Sequence, residues 1–172
     1  MSNNIHFEGV VRVYELSDAQ LLDADFQRWW RRFSLAEKER EARLVVETRN
    51  MLMNAGRTQL LNFVGSSGST NAFAQYYAVG TGAIYTVTPS DSSIAGELFR
   101  AQPASYSIVG NAVTVSTNFT TAQANGTYTN AGLWGNNATS TLGSGVLMTH
   151  MIYSYTKTSA NAITSDYTIT LT

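Results

Sequence analysis

Charge is distributed very unevenly along this chain, and that asymmetry limits its fold more than any other feature. Of the 23 Asp, Glu, Lys and Arg side chains, 18 lie at or before Arg57, and the following 115 residues hold only five. From residue 71 onward, apolar side chains alternate with Ser, Thr and Asn, and glycines recur about every ten residues, as is typical of an antiparallel sandwich or barrel. The sequence therefore predicts a charged N-terminal segment followed by a nearly uncharged β domain.

Turn signals place the strands of the uncharged region. The pair Gly110-Asn111 lies between two strand-like runs and predicts a two-residue hairpin. The pair Asn125-Gly126 predicts a second turn, because these residues tolerate the positive φ that tight turns need. Strands are predicted over residues 106–109, 112–119, 127–134, 146–155 and 163–171.

The charged segment predicts a mixture of strands and helices. Ser17 with Gln20, and Ser34 with Glu37, have the spacing of a capping box, which indicates two helix starts close together. Strands are predicted over residues 5–16 and 44–49. A short helix is predicted over residues 55–64, capped by Asn54 and ended by Gly65, with Leu60, Leu61 and Val64 facing inward.

An aromatic stripe follows the first helix start. Its members recur at intervals of three and four residues, while Arg28, Arg31 and Arg32 occupy the other faces of the helix. Such a wide apolar stripe needs a partner surface, so we expect it to be an assembly interface. The stripe consists of Leu22, Phe26, Trp29, Trp30 and Phe33.

These patterns together predict a mainly β protein. The expected architecture is an antiparallel β-sandwich, jelly-roll or Ig-like, with a charged helical insertion near the N-terminus and one short helix at about 55–64. We predict an N-terminal segment over residues 1–57, formed by a strand and a charged helical attachment segment, and a sandwich domain over 58–172. The alternative is one continuous domain from about residue 44.

Acidic residues that could carry hydrolytic chemistry are few. Glycoside hydrolysis needs two carboxyl groups across the bond that breaks, and the uncharged region offers only Asp91, Glu97 and Asp166. We interpret Glu97 as the ion-pair partner of Arg100, and Asp91 as an N-cap or turn residue. No catalytic residue is predicted.

Side chains for nucleophilic catalysis and for metal binding are also scarce. The chain has no cysteine, and its two histidines, His6 and His150, lie in different regions of the sequence. Gly80-Thr81-Gly82 lacks the lysine of a phosphate-binding loop, so we interpret it as a turn. We expect no metal and no cofactor.

Nucleic acid and membranes are not expected partners. The net charge is −1, and acidic residues close in sequence cancel the field of the arginines beside Trp29 and Trp30. Neither an export signal nor a membrane-spanning run of apolar residues is predicted.

Four short motifs occur between about Glu47 and the C-terminus: ETRNMLMNAGRTQLLNFVG, QYYAVGTG, GELFR and NGTYTNAGLW. Together they resemble a recurrent class of tailed-phage virion proteins. The resemblance implies a β-sandwich subunit of a capsid decoration, head fibre, collar or tail component. The sequence departs from that class at Asn130, where an acidic residue is common, and over residues 17–43, where relatives tend to have a simple hairpin.

The resemblance and the composition lead to two hypotheses about function. In the first, the chain is a non-enzymatic virion component that is assembled in the host cytoplasm, associates with copies of itself, with a trimer expected, and binds a major capsid, connector or tail protein through the aromatic stripe. Trp29→Ala or Trp30→Ala would then leave the sandwich folded and abolish incorporation. In the second, the chain is a receptor-binding module, and Tyr128 and Trp134 stack on a host surface glycan.

Overall fold

Ten strands and four helices are present in a computed structural model, which describes residues 7–65 and 74–171. In chain order they are β1 (Phe7–Leu16), α1 (Asp18–Leu22), α2 (Ala24–Trp30), α3 (Leu35–Glu41), β2 (Arg43–Arg49), β3 (Met51–Leu52), α4 (Asn54–Gly65), β4 (Tyr76–Gly80), β5 (Glu97–Ala101), β6 (Ser105–Val109), β7 (Ala112–Phe119), β8 (Gly126–Gly135), β9 (Val146–Lys157) and β10 (Ala162–Leu171).

The strands form two five-stranded antiparallel sheets. The first sheet has the order β2-β1-β10-β7-β6, and the second has the order β3-β9-β8-β4-β5. The predicted antiparallel β-sandwich is therefore confirmed. Its strands follow from the period-two alternation, because every second side chain of a strand points to the same face.

The main apolar core lies between the two sheets. The first sheet contributes Val11, Val13 and Tyr167 from its central strands, and the second contributes Val79 and Leu133. All five side chains are buried, so the alternating apolar residues of both sheets meet in one layer, as in other sandwiches.

The predicted hairpin at Gly110-Asn111 is confirmed. It joins β6 to β7, and Val109 faces Ala112 across the turn. Gly110 is the first central residue of the turn, and its φ of 57° is the positive value that a type II′ turn requires there. The turn predicted at Asn125-Gly126 lies a few residues earlier, where the Gln123 amide donates to the Thr120 carbonyl at 3.1 Å, and Gly126 is already the first residue of β8.

Two strands of the charged N-terminal segment, β1 and β2, belong to the same sheet as the C-terminal strand, β10. β1 pairs with β10 along its length, from Phe7 opposite Leu171 to Leu16 opposite Ala162. The predicted boundary between residues 1–57 and 58–172 is not a boundary between sheets, because β1 and β2 lie in the first sheet and β3 in the second. Sequence periodicity identifies strands but not their neighbours, so it could not show that the first and last strands pair. Ile5 and His6, predicted to begin β1, lie outside the described residues.

The predicted capping boxes are confirmed at Ser17 and Ser34, which begin α1 and α3. Glu15 of β1 faces Arg43 of β2, so the three short helices between them replace the turn of a β-hairpin. We call residues 17–42 the insertion. The predicted helix over 55–64 corresponds to α4, but Leu61 is 71% exposed rather than inward-facing. Leu60 is half-buried, and the side chain of Val64 is outside the described set.

Candidate assembly surface

The insertion packs against β1, β10 and β2 of the first sheet through a second, smaller core. Trp30 of α2 is only 1% exposed and lies edge-on to Tyr14 of β1, with 5.1 Å between ring centroids. Leu21 of α1 and Ala162 of β10 complete the buried cluster. This cluster fixes the position of α2 on the sandwich.

A buried ion pair holds α3 in place. The Lys38 ammonium pairs with the Asp166 carboxylate of β10, and both side chains are largely shielded from solvent. The Ser116 hydroxyl donates to the second Asp166 oxygen at 2.6 Å. The Lys38 nitrogen also lies 5.1 Å from the centroid of the Trp30 ring, a distance at which a cation is attracted to the ring face.

The start of the insertion is fastened to the loop after β7. The Thr121 amide donates to Asp18 at 3.0 Å, and the Thr121 hydroxyl donates to the other carboxylate oxygen. These two hydrogen bonds favour the ionised carboxylate and lower the pKa of Asp18. In α2, Gln27 accepts a hydrogen bond from Asn118 of β7 at 3.2 Å. The insertion is thus held by both apolar and polar contacts.

The outer side of the insertion carries a groove of about 330 Å³. Trp29 is 63% exposed at this groove, and Phe26 and Phe33 are half-buried beside it. Three acidic residues complete the lining, which consists of Phe26, Trp29, Phe33, Asp23, Asp25 and Glu41. We call this set the insertion groove.

The structure brings the predicted aromatic stripe together but divides it between two environments. Phe26 lies between them, because its ring stacks on Trp30 at 5.7 Å and its edge lines the groove. Trp30 is a core residue and cannot contact a partner, so its predicted role as an interface residue is corrected. Leu22 is exposed, though it is not part of the groove lining. The five residues have helical spacing, but Asp23 ends α1 and begins α2, so Leu22 is on a different helix. The spacing also does not show how much of the stripe the sheet covers.

The charged rim of the insertion groove could not be identified from the spacing of the aromatic residues. Asp23 caps α2 by accepting from the amides of Asp25 and Phe26 at 2.8 and 3.1 Å, so its position is fixed. Asp25 and Glu41 lie 3.6 Å from Arg28 and Arg40, in exposed pairs that are worth little. No basic side chain lines the groove itself. Aromatic faces beside carboxylates are a suitable environment for a cationic side chain.

The two residues predicted to stack on a glycan are both buried. Tyr128 lies in the main core, and its hydroxyl group donates a hydrogen bond to the Ala124 carbonyl. Trp134 lies in a separate buried cluster, with its ring 4.7 Å from the Arg100 guanidinium carbon. Neither ring has a free face for a sugar, so the glycan-contact role predicted for these two residues is corrected.

Two of the five charged residues after Arg57, Glu97 and Arg100, hold a loop of the sandwich in place. Glu97 and Arg100 form the predicted ion pair, at 2.5 Å, and Arg100 also donates to the carbonyls of Thr139 and Ser144 at 3.1 and 3.0 Å. Both side chains are buried, so the pair fastens the loop between β8 and β9 to β5.

Asp91 is a turn residue, as predicted, and has a second partner that the sequence did not indicate. It accepts from the amide and hydroxyl of Thr88 at 3.2 and 2.7 Å, and it lies 2.9 Å from Nδ1 of His150. Burial lowers the pKa of His150, and the neighbouring Asp91 carboxylate opposes this shift only in part. The contact fastens the loop between β4 and β5 to β9.

Within residues 7–65 and 74–171, no group of three or more His, Asp or Glu side chains is arranged to hold a metal ion. The helices in these ranges are too short or too polar to span a bilayer. Comparison of the chain with protein-family models, with curated proteins and with solved structures finds no match.

Proposed function

We propose that this chain is a non-enzymatic structural subunit of a tailed-phage virion, which associates with copies of itself and attaches to a capsid, connector or tail protein. Two observations support the proposal: the four motifs that resemble virion proteins, and the insertion groove. The attachment site is the groove, and the observation that carries this assignment is Trp29, which is 63% exposed on an element held by buried contacts.

A fixed, exposed tryptophan is suited to protein recognition. Tryptophan contributes a large contact area, and it is over-represented among the residues whose truncation costs most binding energy. Because Trp30 and Lys38 hold the helices around it, little conformational entropy would be lost when a partner binds. The surface is thus preorganised for docking.

The acidic rim defines the chemistry of the partner. Asp23, Asp25 and Glu41 surround the aromatic floor, and no lysine or arginine lines it. The segment that fits is one in which a lysine or arginine adjoins an apolar side chain, since the cation can meet the carboxylates while both side chains cover the rings.

Incorporation into particles tests the attachment site. We expect Trp29→Ala to reduce the amount of this chain in purified virions at least tenfold relative to the major capsid protein, measured by quantitative mass spectrometry. Leu61→Ala is the matched control, because Leu61 is at least as exposed as Trp29 but lies on α4, and it should be incorporated normally. Equal incorporation of both variants would exclude the groove, and absence of the wild-type chain from virions would exclude the proposed function.

A charge change tests the partner's chemistry separately. Asp25→Lys places a cation at the groove and should reduce incorporation as Trp29→Ala does, whereas Glu39→Lys, outside the groove lining, should not. If Asp25→Lys is incorporated normally, the partner segment is not basic. The number of copies per particle, from the same spectra, distinguishes a shell position with hundreds of copies from a tail position with a few tens or fewer, on the order expected for closed symmetric assemblies.

A further inference from the structure

The edge of the first sheet ends in a strand with no described neighbour. β6 pairs with β7 on one side, and among residues 7–65 and 74–171 no strand pairs with its other side. In a two-residue hairpin the residues that flank the turn form a hydrogen-bonded pair, so Val109, Ser107 and Ser105 direct their backbone groups toward β7. The N–H and C=O groups of Tyr106 and Ile108 therefore point away from the sheet.

The side chains of β6 are unusually apolar for a free edge. Ile108 is 75% exposed, and Tyr106 and Val109 are exposed as well. No charged residue occurs between Arg100 and Lys157 in the sequence, so β6 lacks the lysine or inward-pointing charge with which edge strands commonly prevent association.

The orientation of these side chains shows which face they would cover. Tyr106 faces Val115 and Ile108 faces Val113 across the β6–β7 ladder, so both point to the core side of the first sheet. The Tyr106 hydroxyl donates to the Ala74 carbonyl at 2.7 Å, which holds its ring in place. The apolar side chains of β6 therefore extend the core face of the first sheet.

We propose that β6 pairs antiparallel with β6 of a second copy of this chain, about a two-fold axis at Ser107. This rests on the self-association in the proposed function and specifies its contact. In this register Tyr106 of one copy faces Ile108 of the other, and these residues exchange the backbone hydrogen bonds that β6 leaves unused. The first sheet of one copy and the first sheet of the other then form one continuous ten-stranded sheet through the dimer.

The register follows from the edge itself. Only residues whose backbone groups point outward can exchange hydrogen bonds with the second copy. When the two β6 strands are centred on Ser107, Tyr106 lies opposite Ile108 twice, once on each side of the axis. Centring it on Tyr106 or Ile108 would leave one of these outward-pointing residues opposite a position outside Ser105–Val109. An aromatic ring opposite a β-branched side chain is also a favourable cross-strand pair.

A cysteine-free chain allows a direct test of this geometry. Ser107 would face Ser107 of the second copy as a non-hydrogen-bonded pair, with Cα atoms about 4.5 Å apart, within the range that a disulfide spans. Ser107→Cys should therefore form a covalent dimer on mild oxidation, seen by non-reducing electrophoresis. Ser105→Cys and Val109→Cys should each stay largely uncrosslinked alone and form a covalent heterodimer when mixed, because those two positions face each other. Failure of Ser107→Cys to crosslink, or crosslinking of Ser105→Cys alone to the same extent, would overturn the register.

Mass in solution tests the interface without a disulfide. The wild-type chain should have twice the monomer mass by light scattering, Ile108→Lys should have the monomer mass, and Ile84→Lys, an exposed substitution on the loop between β4 and β5, should remain dimeric. A monomeric wild type, or a trimer in which Ser107→Cys does not crosslink, would overturn the proposal. These outcomes are independent of virion incorporation, so a chain that crosslinks but is absent from particles contradicts only the proposed function.

Discussion

Two adjacent tryptophans show how residue-scale environment decides a role that sequence alone cannot. Trp29 and Trp30 belong to the same stripe, yet Trp30 is enclosed by Tyr14, Leu21 and Ala162, and Trp29 faces solvent. Neighbouring residues of a helix point about 100° apart, which is enough for the sheet to cover Trp30 and leave Trp29 free. Trp30→Ala is therefore not a test of attachment, because it creates a cavity.

We expect the two alanine substitutions to differ in stability. Trp30→Ala should lower the free energy of unfolding by about 3 to 5 kcal/mol, as for other buried tryptophans, whereas Trp29→Ala should change it by less than about 0.5 kcal/mol. Urea denaturation followed by circular dichroism measures both. Similar midpoints for the two variants would show that Trp30 is not a core residue.

His150 makes stability depend on pH. Burial lowers its pKa below the ordinary value of 6.5, so the neutral imidazole is the form present in the folded chain at pH 7. As the pH falls below 6.5 the unfolded chain takes up a proton more readily than the folded chain, and stability decreases over that window. Hydrogen bonds from Thr88 and His150 lower the pKa of Asp91, against the effect of burial. This carboxylate therefore affects the pH dependence of stability only below its ordinary pKa of 3.8.

The expected measurement is a fall in melting temperature between pH 7.5 and pH 5. His150→Gln should have a lower melting temperature at pH 7.5 and a flatter dependence over the same interval. A wild-type melting temperature that rises on acidification would contradict the assignment, because it would require a raised pKa.

At the scale of elements, local signals were predictable and long-range contacts were not. The capping boxes at Ser17 and Ser34 and the hairpin at Gly110 depend on residues no more than three positions apart, so their side chains and turn conformation determine them directly. The contact between Lys38 and Asp166 joins residues 128 positions apart, and nothing in either neighbourhood indicates it. The contact between His150 and Asp91 joins residues 59 positions apart and could not be predicted for the same reason.

The Lys38–Asp166 pair should be the main polar contact that holds α3. Lys38→Met leaves the Asp166 carboxylate buried without its cation, and we expect a loss of about 3 kcal/mol or more in the free energy of unfolding. The double variant Lys38→Met with Asp166→Asn should recover most of this loss, since the amide carries no charge and can still accept from Ser116. Hydrogen exchange at the α3 amides should accelerate in the single variant.

Arg40→Met is the control for this comparison, because Arg40 lies on the same helix with its side chain exposed. It should change the free energy of unfolding by less than about 0.5 kcal/mol. An equal effect of Lys38→Met and Arg40→Met would show that the buried pair does not stabilise α3.

At the scale of the whole molecule, the first and last strands of the sandwich, β1 and β10, pair with each other. β1 lies between β2 and β10 and faces β10 at ten positions, so the first sheet requires both termini. The change in composition near Arg57 is therefore not a boundary between sheets, since strands from both sides of it pair within each sheet. The insertion holds 11 of the 23 charged side chains, whereas the seven strands after Arg57 hold only Glu97, Arg100, Lys157 and Asp166.

This topology makes opposite predictions for two deletions. The fragment 58–172 lacks β1, β2 and β3. Without β1 the core loses Val11 and Val13, and β10 keeps only one of its two neighbours, β7. It should show no cooperative unfolding transition. By contrast, replacing residues 17–41 with Asn-Gly joins β1 to β2 by a two-residue hairpin, because Glu15 already faces Arg43.

The hairpin variant should unfold cooperatively with a lower midpoint, since it loses the smaller core around Trp30 but keeps both sheets. Asp166 would then be hydrated instead of buried without its cation, which removes the penalty that Lys38→Met alone incurs. Thermal denaturation and amide chemical-shift dispersion measure both deletions. Because the hairpin variant retains β6 and lacks the insertion groove, it should still crosslink through Ser107→Cys while failing to enter virions. A cooperative transition in fragment 58–172 would instead support the predicted domain boundary near residue 58.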